Sequence, residues 1–191
     1  MGAIHNAVAV AALACTSMPA FADDLLKWAE VGAWPVIVDR TLGNGCFTYM
    51  TYDTGTMLRV GFTRLTSQGY MLIANNAWSS VEIGRRYDVT LKFGKAPPWN
   101  DEATAINLNG TISLWMSFSN VDVIVDFMQE EDVAIWYNGR RVDSVSLNGG
   151  YAAFSEVLRC QEVMNALPAP SAFSGDAIPE QIKPVGNIFA M

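Results

Sequence analysis

Two cysteines, Cys46 and Cys160, stand over a hundred residues apart in a chain of 191, and linking them would restrict the fold more than any other feature. The only other cysteine, Cys15, lies inside an N-terminal apolar run at residues 7–18. That run is shorter than the ~20 apolar residues with which a helix spans a bilayer. Pro19-Ala20-Phe21-Ala22 and the acidic pair Asp23-Asp24 follow it, the pattern of a cleaved export signal. Residues 1–22 are therefore expected to be a signal peptide, although its start carries only His5 and no Lys or Arg. A lipid anchor on Cys15 is the alternative, but it leaves a long stretch, residues 16–22, before the charged region. An exported chain with two remaining cysteines is expected to join them in one disulfide. Closing so long a loop stabilises a fold by about 4–5 kcal/mol on the chain-entropy account. A redox couple is the other reading, but no C-x-x-C spacing is present to tune a thiolate.

Cys160 belongs to residues 146–161, around which the rest of the chain is organised. A strand ends, Gly149-Gly150 turns the chain, and a helix follows with Tyr151, Phe154, Val157, Leu158 and Cys160 on its inward face. Pro168-Ala169-Pro170 ends that helix. Upstream, the pattern is one of short strands between turn signals. Residues 25–28 read as a helical turn or an extended arm, with Trp28 covering a core edge. Residues 33–39 read as the first strand, with Pro35 suited to a strand start or edge. Residues 46–52 and 57–65 flank a turn at Asp53-Thr54-Gly55, and residues 69–74 read as a buried strand. Residues 87–93 alternate strictly, so Tyr87, Val89, Leu91 and Phe93 should share one face. Residues 94–104, which include Pro97-Pro98-Trp99-Asn100-Asp101-Glu102, read as a polar loop with an aromatic tip.

Asn109-Gly110 and Asn138-Gly139 are hairpin dipeptides. They join residues 103–108 to 111–118 and residues 133–137 to 140–147. Asn109-Gly110-Thr111 also fits a glycosylation acceptor, with the turn preferred. Residues 121–131 fit both periods. Asn120 as N-cap and Asp122 in the first turn select a helix, with Val121, Ile124, Val125 and Met128 at helical spacing. The expected fold is mainly β (α+β), an antiparallel β-sandwich or open barrel with two helices, the C-terminal one tied by the disulfide. Residues 23–167 form its single domain. Residues 168–191, broken by glycine and proline, read as a flexible tail, whose last four residues, Ile188-Phe189-Ala190-Met191, are apolar enough to dock.

Charge and histidine content exclude several functions. Lys and Arg total 12 against 19 Asp and Glu, a net charge of −7, which speaks against nucleic acid and anionic membrane surfaces. Loss of residues 1–22 removes the only histidine, His5. Ser-His-Asp, Cys-His and H-E-x-x-H chemistry then lack an essential group. Zinc would depend on two distant cysteines and carboxylates, and no phosphate-binding glycine loop is present. No cofactor is expected. Asp122, Asp126, Glu130, Glu131 and Asp132 lack the spacing of a calcium loop and read as a solvated face.

Recognition is the leading functional reading. Trp78 near a loop and Trp99 in one, with Asn100 and Asp101 beside it, are the candidate contact anchors. Of the strand tryptophans Trp34, Trp115 and Trp136, at least two are expected in the core. The alternative is a carbohydrate-binding or glycoside-hydrolysing envelope protein that uses Trp99 with Asp101 and Glu102, because glycoside hydrolysis needs two flanking acids.

The exported start, the opening Gly32-Ala33-Trp34 and residues 145–153, Val-Ser-Leu-Asn-Gly-Gly-Tyr-Ala-Ala, with a cysteine after them, resemble the invasion-associated locus B family. The opening and closing thirds carry the resemblance. It implies a small, exported, mostly β, disulfide-containing protein of the bacterial envelope, linked in some members to host-cell entry and without established catalytic residues. The chain departs from that pattern in having Asp39 rather than a cysteine in its first strand, and in its long C-terminal tail. The function expected is that of a periplasmic or secreted interaction module, non-enzymatic, binding a protein or envelope partner through exposed loops.

Overall fold

Turns rich in glycine and asparagine divide the chain into strands that pair with their sequence neighbours. The computed structural model describes residues 24–108, 110–168 and 183–184. The expected signal peptide, Asn109 of the first hairpin dipeptide and nearly all of the C-terminal tail lie outside the described residues. Strands β1 (Leu25–Val31) and β2 (Trp34–Asp39) form a hairpin, and a 3-10 turn at Arg40–Leu42 leads to β3 (Gly45–Thr51), β4 (Thr56–Thr63) and β5 (Gln68–Asn75). A second meander follows, β6 (Arg86–Phe93), β7 (Trp99–Leu108) and β8 (Thr111–Phe118). Helix α1 (Asp122–Gln129), the hairpin β9 (Asp132–Tyr137) and β10 (Arg140–Ser146), helix α2 (Gly150–Ala166) and the two-residue β11 (Lys183–Pro184) complete the order. Asn138 and Gly139 both have positive φ, 49° and 71°, as a tight two-residue hairpin turn requires.

All described strands join one antiparallel sheet in the order β10-β9-β6-β7-β8-β5-β4-β3-β2-β1-β11. The sheet is open but curled. Five strands separate β10 from β4 in that order, yet Tyr52 Oη donates to Ser146 O at 2.5 Å and the hydroxyls of Thr54 and Thr56 donate to the Asp143 carboxylate. The turn between β3 and β4 therefore meets the far edge of the sheet. Residues 25–28, left open between turn and arm by the sequence, belong to β1, where the half-buried Trp28 donates its Nε1–H to Glu156 Oε1 of α2 at 2.8 Å.

Alternation decides what each face holds. In β6, Tyr87, Val89, Leu91 and Phe93 are buried while Arg86, Asp88 and Lys92 are exposed. β2 and β5 are buried on both faces and so read as continuous apolar runs. The curled face holds the inner core, and the helices close it with Val123, Ile124 and Phe127 from α1 and Ala153, Phe154, Val157, Cys160 and Met164 from α2. Edge-on aromatic contacts join Trp34 to Phe127 at 5.9 Å and Phe127 to Phe154 at 5.7 Å. Cys46 of β3 is disulfide-bonded to Cys160 of α2, with the Cα atoms 6.1 Å apart, so the C-terminal helix is tied as expected.

Both helix faces differ from the spacing-based expectation. Val121, Val125, Tyr151 and Leu158 face solvent. Gln161 is buried in their stead as a polar residue of the inward face, and its Oε1 accepts the buried Cys46 N–H at 2.9 Å, a donor that is costly to leave unpaired. Helix α1 begins after Val121, one residue later than predicted, although Asn120 Oδ1 still accepts the Asp122 N–H at 2.9 Å. Trp34 is buried, with its Nε1–H donated to Asn148 O at 2.8 Å. Trp115 and Trp136 are only half-buried, which corrects the expectation that two of the three enter the core. Trp115 lies on the opposite face of the sheet, stacked on Tyr70 at 4.1 Å. Among the described residues no helix is long and apolar enough to cross a membrane.

The second face carries its own apolar cluster of Ile37, Phe47, Met57, Tyr70, Leu72 and Ala74. A charged pair is sealed inside it, with Arg59 Nη2 2.6 Å from Asp39 Oδ2. Arg59 Nε donates to Tyr70 Oη at 2.6 Å, and the guanidinium lies 3.5 Å from the centre of the Phe47 ring. Asp39 Oδ1 accepts both the backbone N–H and the hydroxyl of Thr41. Burial pushes the Tyr70 hydroxyl well above its ordinary range despite the Arg59 charge, and burial does the same to Tyr52. Both folded-state tyrosines keep their protons where unfolded tyrosine starts to ionise, near pH 10. Their contribution to stability is complete below about pH 10 and is lost as the pH rises beyond it. Denaturant titrations should show stability falling from about pH 10 upward, with a shallower fall in Tyr52→Phe, which removes one of the linked protons.

Candidate functional site

Asparagine chemistry at the end of β5 sets the site. Asn75 Oδ1 accepts the Ala77 N–H at 2.8 Å and Asn75 O accepts the Trp78 N–H at 3.1 Å, a side-chain-closed turn of the kind asparagine favours. The loop then doubles back. Val81 N–H donates to Trp78 O at 3.3 Å, Glu82 N–H to Tyr87 Oη at 2.8 Å and Gly84 N–H to Ala105 O at 2.7 Å. These bonds fasten the loop to β6 and β7 and hold Trp78 half-buried against the inner core.

Between this loop and strands β6, β8, β9 and β10 lies a pocket of about 350 Å³, walled chiefly by Trp78, Tyr87, Leu114, Trp136, Tyr137 and Val142. The Tyr87 and Tyr137 rings meet at 5.8 Å and 63°, and the Arg85 guanidinium lies 5.6 Å from the centre of the Tyr87 ring. Tyr137 is 38% and Val142 44% exposed, so the mouth is an apolar rim open to solvent. Among the described residues no carboxylate lines the pocket. Its walls can desolvate an apolar group and stack on an aromatic one, with the Arg85 cation at the margin, but they hold no acid–base pair. A volume near the lower end of the ~300–1,000 Å³ usual for ligand sites suits one or two side chains. A second groove of about 480 Å³, beside Arg64, Gln68, Gln161 and Asn165, is more polar. Its hydrogen-bonding groups are partly used within the fold, with Arg64 Nη2 on Leu167 O and Gln161 Nε2 on Asn165 Oδ1.

No protein-family model and no curated protein sequence matches the chain. Among solved structures it is similar to the crystal structure of invasion associated protein B from Bartonella henselae. That match has 11% identity, covers 70% of this chain and 97% of that chain, and has a TM-score of 0.49. The likeness is distant and structural.

Of the candidate contact residues Trp78, Trp99, Asn100 and Asp101, only Trp78 lines the aromatic pocket. Trp99 corrects the loop expectation, because it opens strand β7, paired with Leu91 of β6. Its ring is half-buried against the inner core, and its Nε1–H is donated to Asp126 Oδ2 of α1 at 2.7 Å. Trp99 is therefore a strut between β7 and α1. Asn100 Oδ1 accepts the Thr90 hydroxyl across the strands at 2.6 Å, and Asp101 Oδ1 accepts the Glu102 N–H at 2.8 Å. Glu102 forms an exposed ion pair with Arg86 at 2.8 Å. Consecutive strand residues point to opposite faces, so Asp101 and Glu102 do not converge on one bond as paired acids must. Tyr137 and Val142 went unnoticed in the sequence. The signal available was that both flank the Asn138-Gly139 turn, where an aromatic and a valine stand at an exposed strand end.

Proposed function

We propose that the chain is an exported, non-enzymatic binding module of the cell envelope, periplasmic or secreted, which holds an apolar side chain of a protein partner in the Trp78–Tyr137 pocket. The apolar pocket with an exposed aromatic rim carries this reading, since buried aromatic anchors dominate the energetics of protein interfaces. The export pattern at residues 1–22 and the use of both later cysteines in a disulfide support the compartment. A carbohydrate-acting reading built on Trp99, Asp101 and Glu102 is not favoured, because those side chains are occupied within the sheet or point apart.

In-cell crosslinking with identification of the captured partner tests the proposal. Trp78→Ala and Tyr137→Ala are each expected to weaken capture at least about tenfold, the scale of interface anchors, while Asp101→Ala leaves it unchanged. Capture that survives both pocket substitutions in folded protein, or that depends on Asp101, would overturn the assignment.

A further inference from the structure

The Trp78–Tyr137 pocket is apolar within and cationic at its mouth. Arg85 lines it with a side chain that is 60% exposed. Its guanidinium lies 5.6 Å from the centre of the Tyr87 ring, which in turn meets the Tyr137 ring at 5.8 Å. A second cation flanks the Tyr137 end of that pair. Arg140 of β10 is exposed and pairs directly with Tyr137 of β9, and directly paired residues share a face with their Cβ atoms about 5 Å apart. Neither cation is firmly neutralised. Arg85 meets Glu82 at 3.6 Å with both side chains exposed, a weak and readily exchanged pairing. Among the described residues Arg140 has no ion-pair partner. The Asp143 carboxylate, farther along β10, is taken by the hydroxyls of Thr54 and Thr56.

We propose that the apolar side chain held in this pocket has a carboxylate next to it, which binds at the Arg85–Arg140 rim. The inference rests on the pocket-binding reading above and names the chemistry of the partner. The aromatic walls desolvate the apolar part, while a guanidinium fork matches a carboxylate with two parallel hydrogen bonds. Carboxylates are the anions that an unmodified polypeptide carries. They come either from a chain's C-terminus or from an Asp or Glu beside the apolar residue. Arg85 stands 5.6 Å from the Tyr87 ring, and successive Cα atoms are about 3.8 Å apart. The anion therefore belongs to the held residue itself or to its immediate neighbour. The chain carries −7 overall, so this rim is a cationic spot on an acidic molecule, and it orients an acidic segment as it docks.

Three peptides titrated against the full chain and followed by tryptophan fluorescence give the test. They are acetyl-Gly-Gly-Phe with its free carboxylate, the same peptide as the amide, and acetyl-Gly-Asp-Phe amide. At least one of the two acidic peptides is expected to bind about fivefold tighter than the neutral amide at low salt, with the advantage shrinking as salt rises. Preference for the first acid assigns the carboxylate to a C-terminus and preference for the second to an acidic neighbour, and either supports the proposal. Arg85→Gln with Arg140→Gln should bring the acidic peptides down to the level of the amide. Equal binding of all three, no binding of any at about 1 mM, or an advantage that survives the double substitution would overturn it. Cellular capture separates this inference from the reading beneath it. Capture that depends on Trp78 and Tyr137 while the acids hold no advantage leaves the pocket reading standing and removes the carboxylate. Capture that ignores both pocket residues removes the pocket reading, and this inference with it.

Discussion

Arg59→Ala is expected to lower the unfolding free energy by about 3–5 kcal/mol, the usual cost of breaking a buried ion pair from one side. Asp39 would keep its two contacts with Thr41 but lose the guanidinium at 2.6 Å. Tyr70 Oη would lose the donor on Arg59 Nε, and Phe47 the cation over its ring. None of these groups has water to turn to, because Asp39, Phe47 and Tyr70 are all buried. The loss therefore belongs to the groups left behind more than to the pair itself. The double variant Arg59→Met with Asp39→Leu should recover most of it, since matched apolar side chains often replace a buried pair without penalty. Urea titrations of both single variants and the double variant test this. Strict additivity of the single losses would show that the pair does not act as a unit.

Replacing both cysteines, Cys46→Ala with Cys160→Ala, is expected to cost about 4–5 kcal/mol on the chain-entropy account for a separation of this length. In a domain of this size that corresponds to a fall of about 10–20 °C in the unfolding midpoint. The bond joins β3 to α2 across 114 residues, and α2 supplies much of the lid of the inner core. Hydrogen exchange in the variant should rise most in α2. A calorimetric shift of under about 3 °C would mean that Trp34 on Asn148 O, Trp28 on Glu156 and Gln161 on the Cys46 amide hold the helix without help.

Features written in local sequence were legible. The strict alternation of β6, the turn at Asn138-Gly139 and the long cysteine spacing each specify their structure through neighbours a few residues away or through a single bond. Features decided by distant packing were not. β7 begins at Trp99 after a proline pair, and its first residues are polar because Asn100 and Glu102 face solvent and pair with Thr90 and Arg86 across the strand; that reads as a loop. Gln161 lies in the core because of one amide on β3, which no helical period reveals. The pocket was half legible for the same reason. Trp78 stands out as an aromatic in a loop, whereas Tyr137 and Val142 become a rim only when β9 and β10 pair beside β6. Arg59 gave no sign of burial, since its partner Asp39 is 20 residues away on a strand that pairs with β3 and not with β4.

The sheet order also sets when the molecule can become whole as the chain emerges from its N-terminus. β1 to β5 pair in succession, so this half can assemble early from local contacts. β5 must then wait for β8, and β6 for β9, while α2, which covers β2 and β3, comes after every one of the first ten strands. A nascent chain that stops before Gly150 thus holds the first ten strands with the inner apolar face still lacking α2 and Cys46 without its partner. Such intermediates, with exposed apolar surface and unpaired strand edges, are the ones prone to aggregate. For this protein closure of the inner core is tied to α2, the last of the described helices to be made.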